Sequence, residues 1–193
     1  MDEPKRVLIG ITGASGVIYG IRILELLAEA AEIETQLIIS PPGERTLREE
    51  TDYDLDQVHA LADRVYGYQD IGAPPASGSY PAEGMIIAPC SMKTLSAVSL
   101  SCSDNLLVRA ADVQLKEGRP LLLVVRETPL HAGHLKRMLE AAENGAVIMP
   151  PVPSWYSQPD SLETLVDQTA RRILARFGIS LPGTYQWPGS QQS

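Results

Sequence analysis

Cysteine is scarce in this 193-residue chain, and its placement excludes two classes of protein. Cys90 and Cys102 can form one disulfide at most, and neither sits in a C-x-x-C pair or a Cys/His set at zinc spacing. Neither a disulfide scaffold nor a zinc module is expected, and no metal. Positive charge is also in deficit: 16 Lys and Arg against 24 Asp and Glu leave a net charge of -8. That is the wrong sign for a surface that neutralises nucleic-acid phosphates, so any anionic ligand must be held by local chemistry. Long apolar runs are missing as well. The first, from Val7, is cut by Gly10, Thr12 and Gly13, so neither a signal peptide nor a membrane span is expected, and the protein is placed in the cytoplasm. A G-x-x-x-x-G-K-[ST] segment is absent too, which removes a Walker-type triphosphate site.

What remains is a chain with a buried interior: 44 % hydrophobic and 21 % charged residues are ordinary for a globular domain. One domain over residues 1–180 with a tail over 181–193 is expected. Val7 to Ile11 reads as a strand, followed by a glycine-rich turn and a helix from Gly16 to Ala30. Thr35 to Ser40 reads as a second strand ended by Pro41-Pro42-Gly43, and Asp54 to Tyr66 has helical spacing through Leu55, Val58, Leu61, Ala62 and Val65. Three short continuous apolar runs, Met85 to Ala88, Leu121 to Val125 and Ala146 to Met149, suit strands covered on both faces. Helical patterns separate them at Asn105 to Glu117 and His134 to Glu143. A last helix, Ser161 to Phe177, opens on Asp160 and Glu163 in capping-box spacing. The alternation predicts an α/β, doubly wound three-layer sandwich with a mainly parallel sheet.

Two loops are candidate anion sites. Gly10-Ile11-Thr12-Gly13-Ala14-Ser15-Gly16 joins the first strand to the first helix, where backbone N–H groups and the helix dipole favour a phosphate. Its glycines are three apart and not in the G-x-G-x-x-G form, and the second strand ends in Ser40 rather than an acid, so a mononucleotide fits better than NAD. The same glycines also suit a tight turn with close packing. Pro89-Cys90-Ser91-Met92-Lys93-Thr94 repeats the arrangement after a later strand, with a simple helix cap as its alternative.

Charged side chains add to this. Arg109, Asp112 and Lys116 share one side of a helix, which is either a salt-bridged face or a phosphate contact. Arg126 and Glu127 end the Leu121 to Val125 strand, on the rim that carries the glycine turn. Arg172 falls at the edge of the last helix's apolar face, whereas Arg171 points to water. A snorkelling stem is the other reading of Arg172. His131 and His134 read as surface or cap residues.

The segments ITGASGVIYG, EETD (Glu49 to Asp52), PPASGS (Pro74 to Ser79), APCSMKTLS (Ala88 to Ser96), RAADVQLKEGRPLLLVVRETPLH (Arg109 to His131) and GAVIMPPVPSWY (Gly145 to Tyr156) together resemble the UbiX-type flavin prenyltransferases. The resemblance spans roughly residues 6–177 and implies a Rossmann-like, flavodoxin-related fold. It also implies reduced FMN and dimethylallyl phosphate as substrates, alkylation at N5 and ring closure at C6. The product, prenylated FMN, is used by UbiD-type decarboxylases, and the assembly is a dodecamer with active sites at subunit interfaces. By motif, Gly13, Ala14, Ser15, Ser40, Ser91, Met92, Lys93, Thr94 and Arg126 resemble the FMN contacts. Tyr156 and Arg172, from a neighbouring subunit, with Lys116, Arg126 and Arg109, resemble the prenyl-phosphate contacts. Glu127, Glu50 and Ser15 resemble the catalytic set.

Two departures stand out: Pro41-Pro42-Gly43 replaces a common Lys-Ala-Ala and touches the loop over the flavin, and Gly118 replaces a common Arg at a surface or subunit contact. Trp187 is similar to a tail tryptophan of some relatives. The rival readings are an FMN-dependent decarboxylase, including the peptidyl-cysteine type, whose early-loop His is missing here, and an inactive FMN carrier.

Overall fold

The computed structural model describes residues 5–185, so Trp187 and most of the expected tail lie outside the described residues. The chain runs β1 (Lys5–Ile11), α1 (Val17–Ala28), β2 (Ile33–Ile39), α2 (Pro41–Glu50), α3 (Leu55–His59), β3 (Arg64–Tyr66), β4 (Gly84–Cys90), α4 (Met92–Ser99), α5 (Leu106–Lys116), β5 (Leu121–Val125), α6 (Ala132–Glu143), β6 (Val147–Ile148) and α7 (Leu162–Arg176). The strands form one six-stranded sheet in the order β3-β2-β1-β4-β5-β6, and every pair is parallel. This is the doubly wound Rossmann-like sandwich, flavodoxin-like in kind. Strand order reverses between β1 and β4, which opens a crevice at the carboxyl ends of those two strands.

The continuous apolar runs follow from the layering. Val7, Ile9, Ile11, Ile86 and Val124 face a core shared with α1 and α7, while Leu8, Met85, Ile87, Leu123 and Val125 face one shared with α4 and α5. Successive residues point to opposite faces, and both faces are covered, so from Val7 onward in β1, and throughout Leu121–Val125, every position is apolar or glycine. Each such Leu, Ile or Val contributes about 1.5–3 kcal/mol relative to exposure.

Three expectations need correction. The helix expected over residues 54–66 is the five-residue α3 followed by edge strand β3. Asp54 and Gln57 form a capping box that starts α3, but Asp63 then accepts from the Thr35 N–H at 2.7 Å and the Thr35 hydroxyl at 3.0 Å. That draws the chain into the sheet, where Val65 pairs with Leu37. Pro41-Pro42-Gly43 ends β2 but also starts α2: Ser40 is the cap, accepting from the Gly43 N–H at 3.1 Å. The prolines occupy first-turn positions, where a missing N–H costs nothing. The α7 cap is Ser161, not Asp160. Its hydroxyl accepts from the Thr164 N–H at 3.1 Å, and Asp160 accepts from the Thr164 hydroxyl.

Asp167 couples α7 to α1, accepting from Arg22 Nε at 2.9 Å, Arg22 Nη2 at 2.7 Å and Arg171 Nε at 2.7 Å. Burial pushes this carboxyl up, but the hydrogen bonds and charges of Arg171 and Arg22 outweigh it and hold the group below the usual carboxylate range. A depressed folded-state value gives stabilisation that is present above the unfolded pKa and lost as pH falls through the folded one. Asp167→Asn is therefore expected to lower the Tm at neutral pH by a few degrees, with the gap to wild type closing in strong acid. An equal gap in thermal scans at both pH values would remove the charge network as the cause.

Candidate active site

Between Ile11 and Val17 the chain must reverse from strand to helix. Gly16 does this at φ 98° as the N-cap of α1, a left-handed conformation that suits glycine. Gly13 answers to packing: a Cβ there would stand 2.3 Å from Pro42 Cβ. The close-packing reading of the glycines is therefore partly right. The turn also meets a carboxylate: Gly16 N–H, in a helix start that has no side-chain cap, donates to Glu50 Oε2 at 2.7 Å. A carboxylate from the end of α2 thus sits at the positive end of α1.

The second loop behaves as a cap at Ser91, whose hydroxyl accepts from the Thr94 N–H at 3.3 Å and donates to Thr94 Oγ1 at 3.1 Å. Met92 and Lys93 form the first turn of α4, with Lys93 exposed. Ser40 is buried and holds α2, as above. Cys90 is fully buried, and burial pushes its thiol up, which keeps it out of nucleophilic chemistry.

Ser15, Gly16, Ile18, Tyr19, Glu50, Arg126 and Pro151 line a cleft of about 520 Å³, within the size range of small-molecule sites. It brings together a hydroxyl from the glycine turn, a carboxylate from the end of α2 and a guanidinium from just past β5, all at the carboxyl edge of the sheet. A larger recess of about 980 Å³ continues past Tyr19 and Glu50 to Arg22, Asp52, Tyr53 and the start of α7. Tyr19 lines both and was not foreseen. Burial pushes its phenol up, so it stays protonated at neutral pH. Its place in the first turn after Gly16 is the signal that points to it. A separate cleft of about 350 Å³ lies at the amino ends of β5 and β6, remote from these groups.

Other expected residues do not join the cleft of their own subunit. Glu127 lies on the same rim but turns to solvent, accepting from the Thr128 N–H at 2.9 Å. Arg109 donates to Asp112 at 2.8 Å and to the Ala76 carbonyl at 3.1 Å, as the salt-bridged-face reading held. Lys116 ends α5 at the amino edge of the sheet, opposite the cleft, where it pairs with Glu117 and stands beside Gly78. Tyr156 is exposed, its ring 5.5 Å from that of Tyr185. The two arginines of α7 are reversed relative to expectation. Arg172 is exposed, and Arg171 is drawn in by Asp167 one turn earlier and by the Pro182 carbonyl. His131 caps α6 by accepting from the Gly133 N–H at 3.0 Å, with His134 stacked on it. Among the described residues no three His, Cys, Asp or Glu side chains are grouped to hold a metal ion, and no helix is long and apolar enough to cross a membrane.

A family model described as Flavoprotein matches residues 1–174. The flavin prenyltransferase UbiX of Escherichia coli strain K12 is 53 % identical over 188 residues, covering 96 % of this chain and 100 % of that protein. A crystal structure of AnUbiX (PadA1) in complex with FMN and dimethylallyl pyrophosphate superposes with a TM-score of 0.94 at 45 % identity, covering 97 % of this chain and 100 % of the other. A dodecameric FMN-dependent UbiX-like decarboxylase from Escherichia coli O157:H7 superposes with a TM-score of 0.93 at 40 % identity, covering 95 % of this chain and 100 % of that one. With identity near half over almost the whole length, and the same backbone throughout, the chain belongs to the flavin prenyltransferase (UbiX) family.

Proposed function

We propose that this protein is a flavin prenyltransferase that joins a dimethylallyl group from dimethylallyl phosphate to N5 and C6 of reduced FMN. Prenylated FMN is the product, for use by UbiD-type decarboxylases. The observation that carries the reading is the convergence of Ser15, Glu50 and Arg126 on one cleft at the strand-order reversal. The reduced flavin supplies two nucleophilic atoms: N5 takes the allylic carbon as its C–O bond breaks, losing its own proton as phosphate leaves. The prenyl alkene then takes up a proton so that its tertiary carbon can bond to C6, which gives up its proton on ring closure.

The residues present suit an anionic flavin nucleotide. The glycine turn already accommodates one carboxylate at the α1 N-terminus, and its neighbours Ser15 and Arg126 supply further donors beside it. Fixed cations lower the barrier to losing phosphate because that charge grows as the C–O bond breaks. Tyr19 gives the cleft an aromatic wall against which a developing allylic cation is favoured. Glu50 and Glu127 are the carboxylates available for proton transfer.

The remaining predicted contacts, Lys116, Arg109, Tyr156 and Arg172, lie outside this subunit's cleft. In this reading they complete the cleft of a neighbouring copy in a homo-oligomer, a dodecamer as in the related E. coli structure. The cytoplasm suits the chain, since both cysteines are free thiols. Anaerobic incubation with reduced FMN and dimethylallyl phosphate, followed by mass spectrometry of the flavin, is expected to show a gain of one five-carbon unit. Unmodified but tightly bound flavin would favour a carrier instead, and carbon dioxide release from an added aromatic acid by this chain alone would favour a decarboxylase.

A further inference from the structure

We propose that Thr12 is a positioning residue that fixes the spacing between the two loops of the flavin cradle, a role that rests on the flavin reading above. β1 and β4 are neighbours, but their connections leave the sheet on opposite faces: α1 packs in one core and α4 in the other. The β1–β4 register ends at Gly10 and Ile87. Past that point strand pairing no longer ties the glycine turn to the Pro89–Thr94 loop.

Thr12 makes the tie. Its N–H donates to the Pro89 carbonyl at 3.2 Å, its hydroxyl donates to the same carbonyl at 2.7 Å, and that hydroxyl oxygen accepts from the Ser91 N–H at 2.8 Å. One hydroxyl therefore serves both an acceptor and a donor of the opposite loop. Only 1 % of the residue is exposed, so bulk water does not compete. A valine in its place keeps the shape but leaves the Ser91 N–H without its acceptor and the Pro89 carbonyl with one donor fewer, an expensive state for buried groups. The second loop then relaxes away from the first, and a ligand contacting both must reorder it on binding. None of these partners is a predicted catalytic group, so the role is to place Ser91 and the start of α4 relative to the glycine turn.

Thr35 is a matched control. It is also 1 % exposed, and its hydroxyl likewise donates once and accepts once, to Asp63 Oδ2 at 3.0 Å and from the Asp63 N–H at 3.2 Å. It sits in the amino half of β2, away from the cradle.

The test compares full-length wild type with Thr12→Val, Thr12→Ser and Thr35→Val, measuring FMN affinity by flavin fluorescence and the flavin-free Tm of each. Thr12→Val is expected to weaken FMN binding by about tenfold or more, and Thr12→Ser to recover it to within about twofold. Thr35→Val is expected to keep wild-type affinity even where its Tm falls as far. Should Thr12→Val not fold, Thr12→Ala removes the same hydroxyl and is read in the same way. Wild-type affinity in the hydroxyl-free variant overturns the role of Thr12, as does an equal loss in Thr35→Val at equal Tm. Failure of the wild type to bind FMN at all removes the flavin reading itself, and this role with it.

Discussion

Glu127→Gln is expected to leave FMN binding intact and to slow formation of the prenylated flavin in a single turnover by roughly 10²–10⁴-fold, the range for loss of a general acid or base. Closing a ring at C6 requires a base to take the proton lost there, and two carboxylates are candidates. Glu50 is tied at 2.7 Å to the Gly16 N–H, so its charge also serves the α1 N-terminus, and neutralising it would disturb the cradle as well as the chemistry. Glu127 has no such duty. Among the described residues it accepts from the adjacent Thr128 N–H, a bond that an amide oxygen retains, and it follows Arg126 on the rim. Gln therefore preserves the size and the hydrogen bond to Thr128 and removes the charge and the capacity to take up and release a proton. Anaerobic rapid mixing with preloaded flavin measures the step free of product release. A rate equal to wild type would take Glu127 out of the mechanism, and a loss of FMN affinity would instead make it a binding residue.

The parts of the fold that were legible in the sequence are those where local pattern and tertiary burial agree. β1, β5 and α5 are within a residue or two of expectation at most of their ends, because continuous apolar runs have one use in a sheet covered on both faces. β3 was hidden because three residues carry too little pattern, and the hydrogen bonds that recruit it come from Thr35, 28 residues earlier. The same limit applies to the site. Ser15 and Arg126 were readable, since both follow strands at the carboxyl edge. The contact of Glu50 with Gly16 spans 34 residues, and only the family motif singled Glu50 out. The inward arginine of α7 was misjudged because helical geometry fixes direction but not partners: Asp167 lies four residues before Arg171 and captures it.

Gly20→Ala should destabilise the fold by about 1–3 kcal/mol, which lowers the Tm by about 2–4 °C for each kcal/mol in a domain of this size. Helix propensity alone predicts the opposite, since alanine in a helix interior is favoured over glycine by about 1 kcal/mol. Space decides the sign. A Cβ on Gly20 would stand 2.3 Å from the Ala88 carbonyl oxygen and 2.9 Å from Ile11 Cγ1. The nearer atom is backbone of Ala88, fully buried between the last β1–β4 pair at Ile87 and the two Thr12 hydrogen bonds to the Pro89 carbonyl, so it yields little and α1 has to lift. That movement pulls the α1 N-terminus, with Gly16 and Ser15, away from Arg126. FMN affinity should consequently fall along with the Tm, and the two losses should arise together because one displacement causes both. A Tm equal to or above wild type would mean that α1 rides higher over β4 than this packing requires, and the tight seat of the glycine turn on the sheet would have to be abandoned.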